Sequence, residues 1–239
     1  MEKLRSPGGC PWDRKQTEES LLKYLLEEAY EVVDAVQEGD PEKLKEELGD
    51  LLLQVVFLAQ IAREKGQFTI EDVARGIGDK LIARHPHVFG DKKLESAEEV
   101  LQHWDSFKKK EKKNLLEGVP SSSPALLEAY LIGERVARVG FDWEGPEGVF
   151  EKVQEEIGEL KEAVEGRGDV EEELGDLLFA VANLARKLGV NPELALKKAN
   201  RKFRERFGKI EREAENRGRS LRDMSLEEMD EIWEEVKDR

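Results

Sequence analysis

The chain has one cysteine, Cys10, so it cannot close an internal disulfide, and neither Cys10 nor the three histidines falls in a spacing suited to zinc. Long apolar runs are missing as well. Nowhere do about 18 apolar residues follow one another, and the opening MEKLRSPGGCPWD has no hydrophobic stretch behind its basic residues. The expectation is a cytoplasmic protein with no membrane contact. Basic side chains are in the minority, 39 against 54 acidic, and the formal charge of −15 repels nucleic-acid backbones and acidic membranes. No nucleic-acid partner is expected, and a phosphate-bearing ligand needs a metal bridge or a local basic patch. The phosphate loop G-x-x-x-x-G-K-[ST] and the glycine-rich dinucleotide fingerprint are both absent. No strict apolar/polar alternation bounded by turn residues suggests a strand.

What the chain does have is a duplication. Glu117-Gly-Val-Pro-Ser-Ser-Ser-Pro124 cannot extend a helix on either side and reads as a linker, giving a first repeat over 1–117, a linker over 118–124 and a second repeat over 125–239. Glu27-Glu28-x-x-Glu31 answers Glu155-Glu156-x-x-Glu159 at an offset of 128, and Glu46-Glu47-Leu48-Gly49-Asp50 answers Glu172-Glu173-Leu174-Gly175-Asp176 at 126. Phe89-Gly90 answers Phe207-Gly208, and Ser96-x-x-Glu99…Trp104…Lys108 answers Ser225-x-x-Glu228…Trp233…Lys237. Helix start signals recur in both halves: Thr17, Asp40-Pro41, Thr69-x-x-Asp72 and Ser96-x-x-Glu99, then Pro146, Asp169, Asn191-Pro192 and Ser225-x-x-Glu228. The predicted fold is all-α, two tandem repeats of about four helices each that assemble into helical bundles.

At 100° per residue, Leu21, Leu22, Leu25, Ala29, Val32, Val33 and Val36 form one apolar arc, with Glu28 at its margin and Glu31 about 60° beyond. On the next helix Leu44, Leu48, Leu51, Leu52, Val55 and Leu58 form another, with Glu47 at the margin and Asp50 beyond. A short connection at Gly39-Asp40 forces the helices antiparallel, which puts both acidic margins on one side of the seam. The midpoints of the two acidic pairs are equidistant from Gly39, so the four carboxylates stand at one level. Glu156, Glu159, Glu173 and Asp176 are centred in the same way on Gly166, across a connection two residues shorter.

Four carboxylates at one level repel one another, and like charges at this spacing cost an isolated helix about 0.2–0.5 kcal/mol per pair. A single such motif in so acidic a chain is usually a solvated face. Two helices in each of two repeats, aligned in margin and height, point instead to a hard divalent cation, Mg²⁺ or Mn²⁺, which also bridges to phosphate. A di-iron bundle is disfavoured, because no histidine lies three residues after a glutamate.

Glu-x-x-Glu followed by Glu-x-x-Asp, both on helices, resembles the MazG family of nucleoside triphosphate pyrophosphohydrolases in its two-repeat form. Gly9-Cys10-Pro11-Trp12-Asp13, Arg84-His85-Pro86-His87-Val88-Phe89-Gly90, Val139-Gly140-Phe141-Asp142-Trp143 and Lys198-Ala199-Asn200-x-Lys202-Phe203-x-x-Arg206-Phe207 carry the likeness along nearly the whole chain. The resemblance implies Mg²⁺-dependent cleavage of the common NTPs and dNTPs between the α- and β-phosphates, in a homodimer of helical bundles. It implies metal ligation by Glu156, Glu159, Glu173 and Asp176, phosphate contacts from Lys202 and Arg206, and a nucleotide pocket completed by Trp233 and Lys237. Lys202 and Arg206 are one helical turn apart, hence on one face, and a tryptophan offers a flat surface to a base, although a packing anchor is an equal reading of Trp233 and Trp104.

The first repeat keeps Glu28, Glu31, Glu47 and Asp50 as metal ligands, with Arg84, Trp104 and Lys108 as nucleotide contacts. It departs at Val88, which stands where the second repeat has Arg206. Turnover is therefore expected chiefly from the second repeat. Glu155 or Glu27, each just before a first ligand, is the candidate to orient or deprotonate the attacking water. Two rival readings are a narrow nucleotide diphosphatase and a regulatory scaffold that binds partner proteins and keeps residual activity.

Overall fold

The computed structural model describes residues 1–94, 96, 99, 100, 103 and 114–237, without the side chains of Val236 and Lys237. The chain divides into two compact units, Met1–Lys108 and Lys109–Arg239, and no strand occurs among the described residues. No helix among them is long and apolar enough to cross a membrane.

Two short helices, α1 (Glu2–Arg5) and α2 (Pro11–Lys15), open the first unit and precede α3 (Glu18–Glu38), α4 (Pro41–Glu64), α5 (Ile70–Arg84) and α6 (Pro86–Phe89). Each long helix starts where the sequence places a cap. The Thr17 hydroxyl accepts from Ser20 N–H, Asp40 accepts from the N–H groups of Glu42 and Lys43, and Thr69 exchanges bonds with Asp72 in a capping box. Helices α3 and α4 pack as an antiparallel hairpin over Leu21, Phe57 and Ile61, with Met1, Tyr24 and Leu58 around them. Arg5 locks the N-terminal segment onto this core. Its guanidinium donates to Glu64 at 2.7 and 2.8 Å and to the Gln16 carbonyl at 3.1 Å, and lies 5.5 Å from the centre of the Phe57 ring.

The second unit contains α7 (Ala125–Ala137), α8 (Pro146–Glu162), α9 (Val170–Lys187), α10 (Pro192–Asn216) and α11 (Leu226–Lys237). Asp169, Asn191 and the reciprocal Ser225/Glu228 pair cap α9, α10 and α11 as the sequence predicts. Helix α7 has no counterpart in the sequence expectation, because Pro124 at its N-cap makes no side-chain bond that would announce it. It packs on α9 so closely that a Cβ on Gly133 would stand 2.3 Å from Asn183 Oδ1. Arg135 of α7 donates to the carbonyls of Glu117 and Gly118 at 2.7 and 2.8 Å, so the start of the predicted linker is tied down. Ile210, Ala214, Met224 and Ile232 form a core between α10 and α11. In the first repeat the helix expected after Ser96 lies largely outside the described residues, although Glu99 N–H does donate to Ser96 Oγ at 3.1 Å.

The apolar arcs on the hairpins are wider than the seams they form. Leu21 and Leu58 turn inward, but Leu22, Val36, Leu48, Leu52 and Val55 are exposed. The second unit leaves the matched positions Phe150, Val164, Leu174, Leu178 and Val181 exposed in the same way. Two helices bury only one flank of a stripe this broad against each other.

Candidate metal centres

Glycine closes each hairpin. Gly39 ends α3 in the left-handed region at φ 72°, and Asp40 starts α4 one residue later. In the second unit α8 runs into a π-helical turn, Ala163–Arg167, where Gly166 takes φ 91° before Asp169 starts α9. The second connection, two residues shorter between its acids, bends at Gly166 and still returns the chain antiparallel.

Both hairpins bring their acidic margins together. Carboxylate oxygens of Glu28, Glu47 and Asp50 lie within 4.8 Å of one another, and so do those of Glu156, Glu173 and Asp176. The fourth acid of each set, Glu31 or Glu159, borders the three instead of joining them. Burial holds the Glu28 carboxyl above its ordinary value, reinforced by Asp50 and Glu31, and Glu47 is raised by burial and by Glu31. Glu159 is raised by burial and by Glu156, and Glu173 by burial and by Asp176. Glu28, Glu47, Glu159 and Glu173 are thus less readily ionised than ordinary carboxyls, a cost that a nearby cation would relieve.

The donor set suits a hard divalent ion, with oxygen ligands alone and no sulfur or imidazole in either cluster. A second observation supports the fit. Glu156 is 4% exposed, and its buried Oε2 has no hydrogen-bond partner. A buried charged oxygen without a partner is costly, and a cation between Glu156, Glu173 and Asp176 satisfies it.

One residue of this region was missed in the sequence. Lys152 Nζ donates to Oε1 of both Glu155 and Glu156 at 2.7 Å. Its spacing, three and four residues before two glutamates on one helix, was legible, but comparing the repeats by their acids alone passes over it. The matched first-repeat position is Tyr24, whose ring meets Trp12 edge-on at 5.9 Å and carries Lys23 Nζ at 4.5 Å. Among the described residues none of Glu27, Glu28, Glu31, Glu47 and Asp50 forms an ion pair with a lysine or arginine.

The remaining candidates fall into separate groups. Glu27 is exposed and unpaired, whereas Glu155 is held by Lys152. Lys202 is exposed, and Arg206 lies with its guanidinium 5.6 Å from the centre of the Trp233 ring, which also meets Phe203 at 5.3 Å. Trp233 packs against the core between α10 and α11, so it is at least a packing anchor. Among the described residues no hydrogen bond or ion pair joins Lys202 or Arg206 to the carboxylates. Arg84 is half-buried at the end of α5. Trp104, Lys108 and the side chain of Lys237 lie outside the described residues.

Residues 16–89 and 144–210 match the family described as MazG nucleotide pyrophosphohydrolase domain, and these two segments contain both carboxylate hairpins. A Thermotoga maritima protein named nucleoside triphosphate pyrophosphohydrolase/pyrophosphatase MazG is 54% identical over 241 residues, covering 99% of this chain and 92% of that one. An Escherichia coli K12 protein named nucleoside triphosphate pyrophosphohydrolase is 47% identical over 247 residues, 99% of this chain and 94% of its own. A Bacillus subtilis protein named uncharacterized protein YabN is 46% identical over the whole of this chain and half of its own length.

Proposed function

The chain belongs to the MazG family of nucleotide pyrophosphohydrolases, and from that premise we propose that it hydrolyses nucleoside and deoxynucleoside triphosphates to the monophosphate and pyrophosphate, with Mg²⁺, or Mn²⁺ in its place, as the cofactor. The observation that carries this reading is the pair of matched carboxylate clusters on antiparallel hairpins, one with a buried oxygen that lacks a partner. A divalent ion bound there supplies Lewis acidity and charge for the triphosphate.

Glu156, Glu173 and Asp176 hold the ion in the second repeat, with Glu159 beside them, and Glu28, Glu47, Asp50 and Glu31 do so in the first. Water attacks the α-phosphorus in line: a new P–O bond forms, the α–β bridging bond breaks, and pyrophosphate departs with the electron pair. Lys202 and Arg206, one turn apart, hold phosphate oxygens, while Trp233 and Lys237 flank the base. Arg84, Trp104 and Lys108 are the weaker counterparts in the first repeat, so the second repeat carries most of the turnover. Lys152 on Oε1 of Glu155 makes that carboxylate a weaker base, whereas Glu27 carries no such ion pair among the described residues. If Glu155→Gln keeps turnover while Glu156→Gln loses it, Glu155 is not the base.

Broad base specificity is the reading proposed here over the narrow diphosphatase. The exposed stripes support a homodimer. Leu22, Val36, Leu48, Leu52 and Val55 are matched by Phe150, Val164, Leu174, Leu178 and Val181, and a second copy laid on each hairpin completes a four-helix bundle. A cytoplasmic location places the enzyme with its nucleotides. The deciding assay incubates the protein with Mg²⁺ and GTP: GMP with pyrophosphate is expected, and GDP with phosphate overturns the reaction. Rates across eight NTPs and dNTPs within about tenfold of one another support broad specificity.

A further inference from the structure

The two carboxylate clusters are alike in ligands but not in what faces them. In the second repeat, Lys152 bonds Glu156 at 2.7 Å on Oε1, the oxygen next to the unpartnered Oε2, and holds Glu155 at the same distance. At the matched place Tyr24 is itself uncharged, and the cation beside it, Lys23, has its Nζ 4.5 Å from the centre of the Tyr24 ring and not on a carboxylate of the cluster. Lys43 likewise has its ammonium on Glu38 at 2.8 Å and makes no ion pair with Glu47. Asp169, at the position matching Lys43, adds negative charge on the second repeat's side, but it accepts from the N–H groups of Glu171 and Glu172 as the N-cap of α9. Direct contact thus distinguishes the repeats more than summed charge does.

We infer that Lys152 is a tethered counter-cation that weakens uptake of the free divalent ion in the second repeat, so that the first repeat fills at lower metal concentration. This rests on the reading that both clusters bind a divalent ion. An ion entering beside Glu156 meets an ammonium already bonded to one of its ligands. It must either displace that ammonium, which gives up the ion pair with Glu156, or remain within a few ångströms of like charge. At the first cluster no lysine or arginine ion pair with Glu28, Glu47 or Asp50 has to be displaced, among the described residues. The second repeat is then empty of metal at concentrations that fill the first.

The test is a Mn²⁺ titration of the full chain without nucleotide, following free Mn²⁺ by electron paramagnetic resonance. Glu28→Gln with Glu47→Gln leaves only the second cluster, and Glu156→Gln with Glu173→Gln leaves only the first. The second cluster is expected to bind Mn²⁺ about tenfold more weakly than the first. Lys152→Met recovers that factor on the second-cluster background, Lys152→Arg does not, and Tyr24→Lys weakens the first cluster by a similar factor. Helical circular dichroism checks that each variant folds. Equal affinities at the two clusters, or a Lys152→Met variant that binds no tighter than its parent, overturn the inference. If neither cluster binds Mn²⁺ in the unaltered chain, it is the metal reading under the proposed function that fails.

Discussion

Asp142 and Arg186, forty-four residues apart, form a two-pronged ion pair, with the guanidinium donating at 2.5 and 3.1 Å to the two carboxylate oxygens. Lys187 adds a third contact at 2.8 Å and also donates to the Trp143 carbonyl. The loop before α8 is thereby pinned to the end of α9, which fixes where the second hairpin begins. Both partners are largely buried, at 10% and 18% exposure, so solvent screens the pair little.

Loss of that pair is expected to destabilise the second unit. The Arg186 bonds, with help from Lys187, hold the Asp142 carboxyl down from 3.8 to about 2. A carboxylate depressed in the folded state stabilises the fold fully above its unfolded value and loses that contribution as pH falls through the folded one. Asp142→Asn should cost about 2 kcal/mol at neutral pH and progressively less between pH 4 and pH 2. Urea unfolding followed by tryptophan fluorescence measures the difference, and a gap independent of pH would rule out this origin.

Metal should stabilise the protein more as pH rises, because it neutralises acids whose own pH dependence is opposite in sign to that of Asp142. Glu28, Glu47, Glu159 and Glu173 are raised in the folded state, first by burial and then by neighbouring carboxylates. A raised acid binds protons more readily in the folded chain, so the metal-free protein loses stability as pH rises through these values. At pH 7.5, Mg²⁺ at a hundredfold excess over its Kd should raise the Tm of a unit by roughly 10 °C. The gain should shrink below pH 5 as protons take the ion's place. Scanning calorimetry with and without EDTA reads both effects.

The repeats should respond unequally to the same substitution. Glu156→Gln is expected to lower kcat/KM for GTP by roughly 100-fold or more, whereas Glu28→Gln lowers it less than about threefold. The reason is the missing cation at Val88. Steady-state release of pyrophosphate checks this, and equal losses would assign turnover to both repeats.

Charge placed on an exposed stripe should break the dimer. Leu52→Glu with Leu178→Glu alters two side chains that are 59% and 49% exposed in the single chain, so each unit can still fold. Light scattering should find the 27.3 kDa monomer for the variant and twice that mass for the parent. A parent already monomeric would remove the homodimer.

Much of this protein was legible in one dimension. Caps at Thr17, Asp40, Thr69, Asp169, Asn191 and Ser225 act within three residues, so composition alone sets where the long helices start. The level of Glu28 with Glu47 and Asp50 also follows from counting, because a tight antiparallel hairpin converts equal distance from the turn into equal height. Only the tertiary structure decided the rest. It sorted each acid quartet into a close three and a bordering fourth, since rotamers and burial, not periodicity, set where the side chains end. It showed that part of each apolar arc faces outward, because one partner helix covers one flank. It added α7, whose place is fixed by the contact of Gly133 with Asn183 and not by a cap. And it set Lys152 against Glu156, a pairing that depends on which helix face the metal ligands occupy once the hairpin has closed.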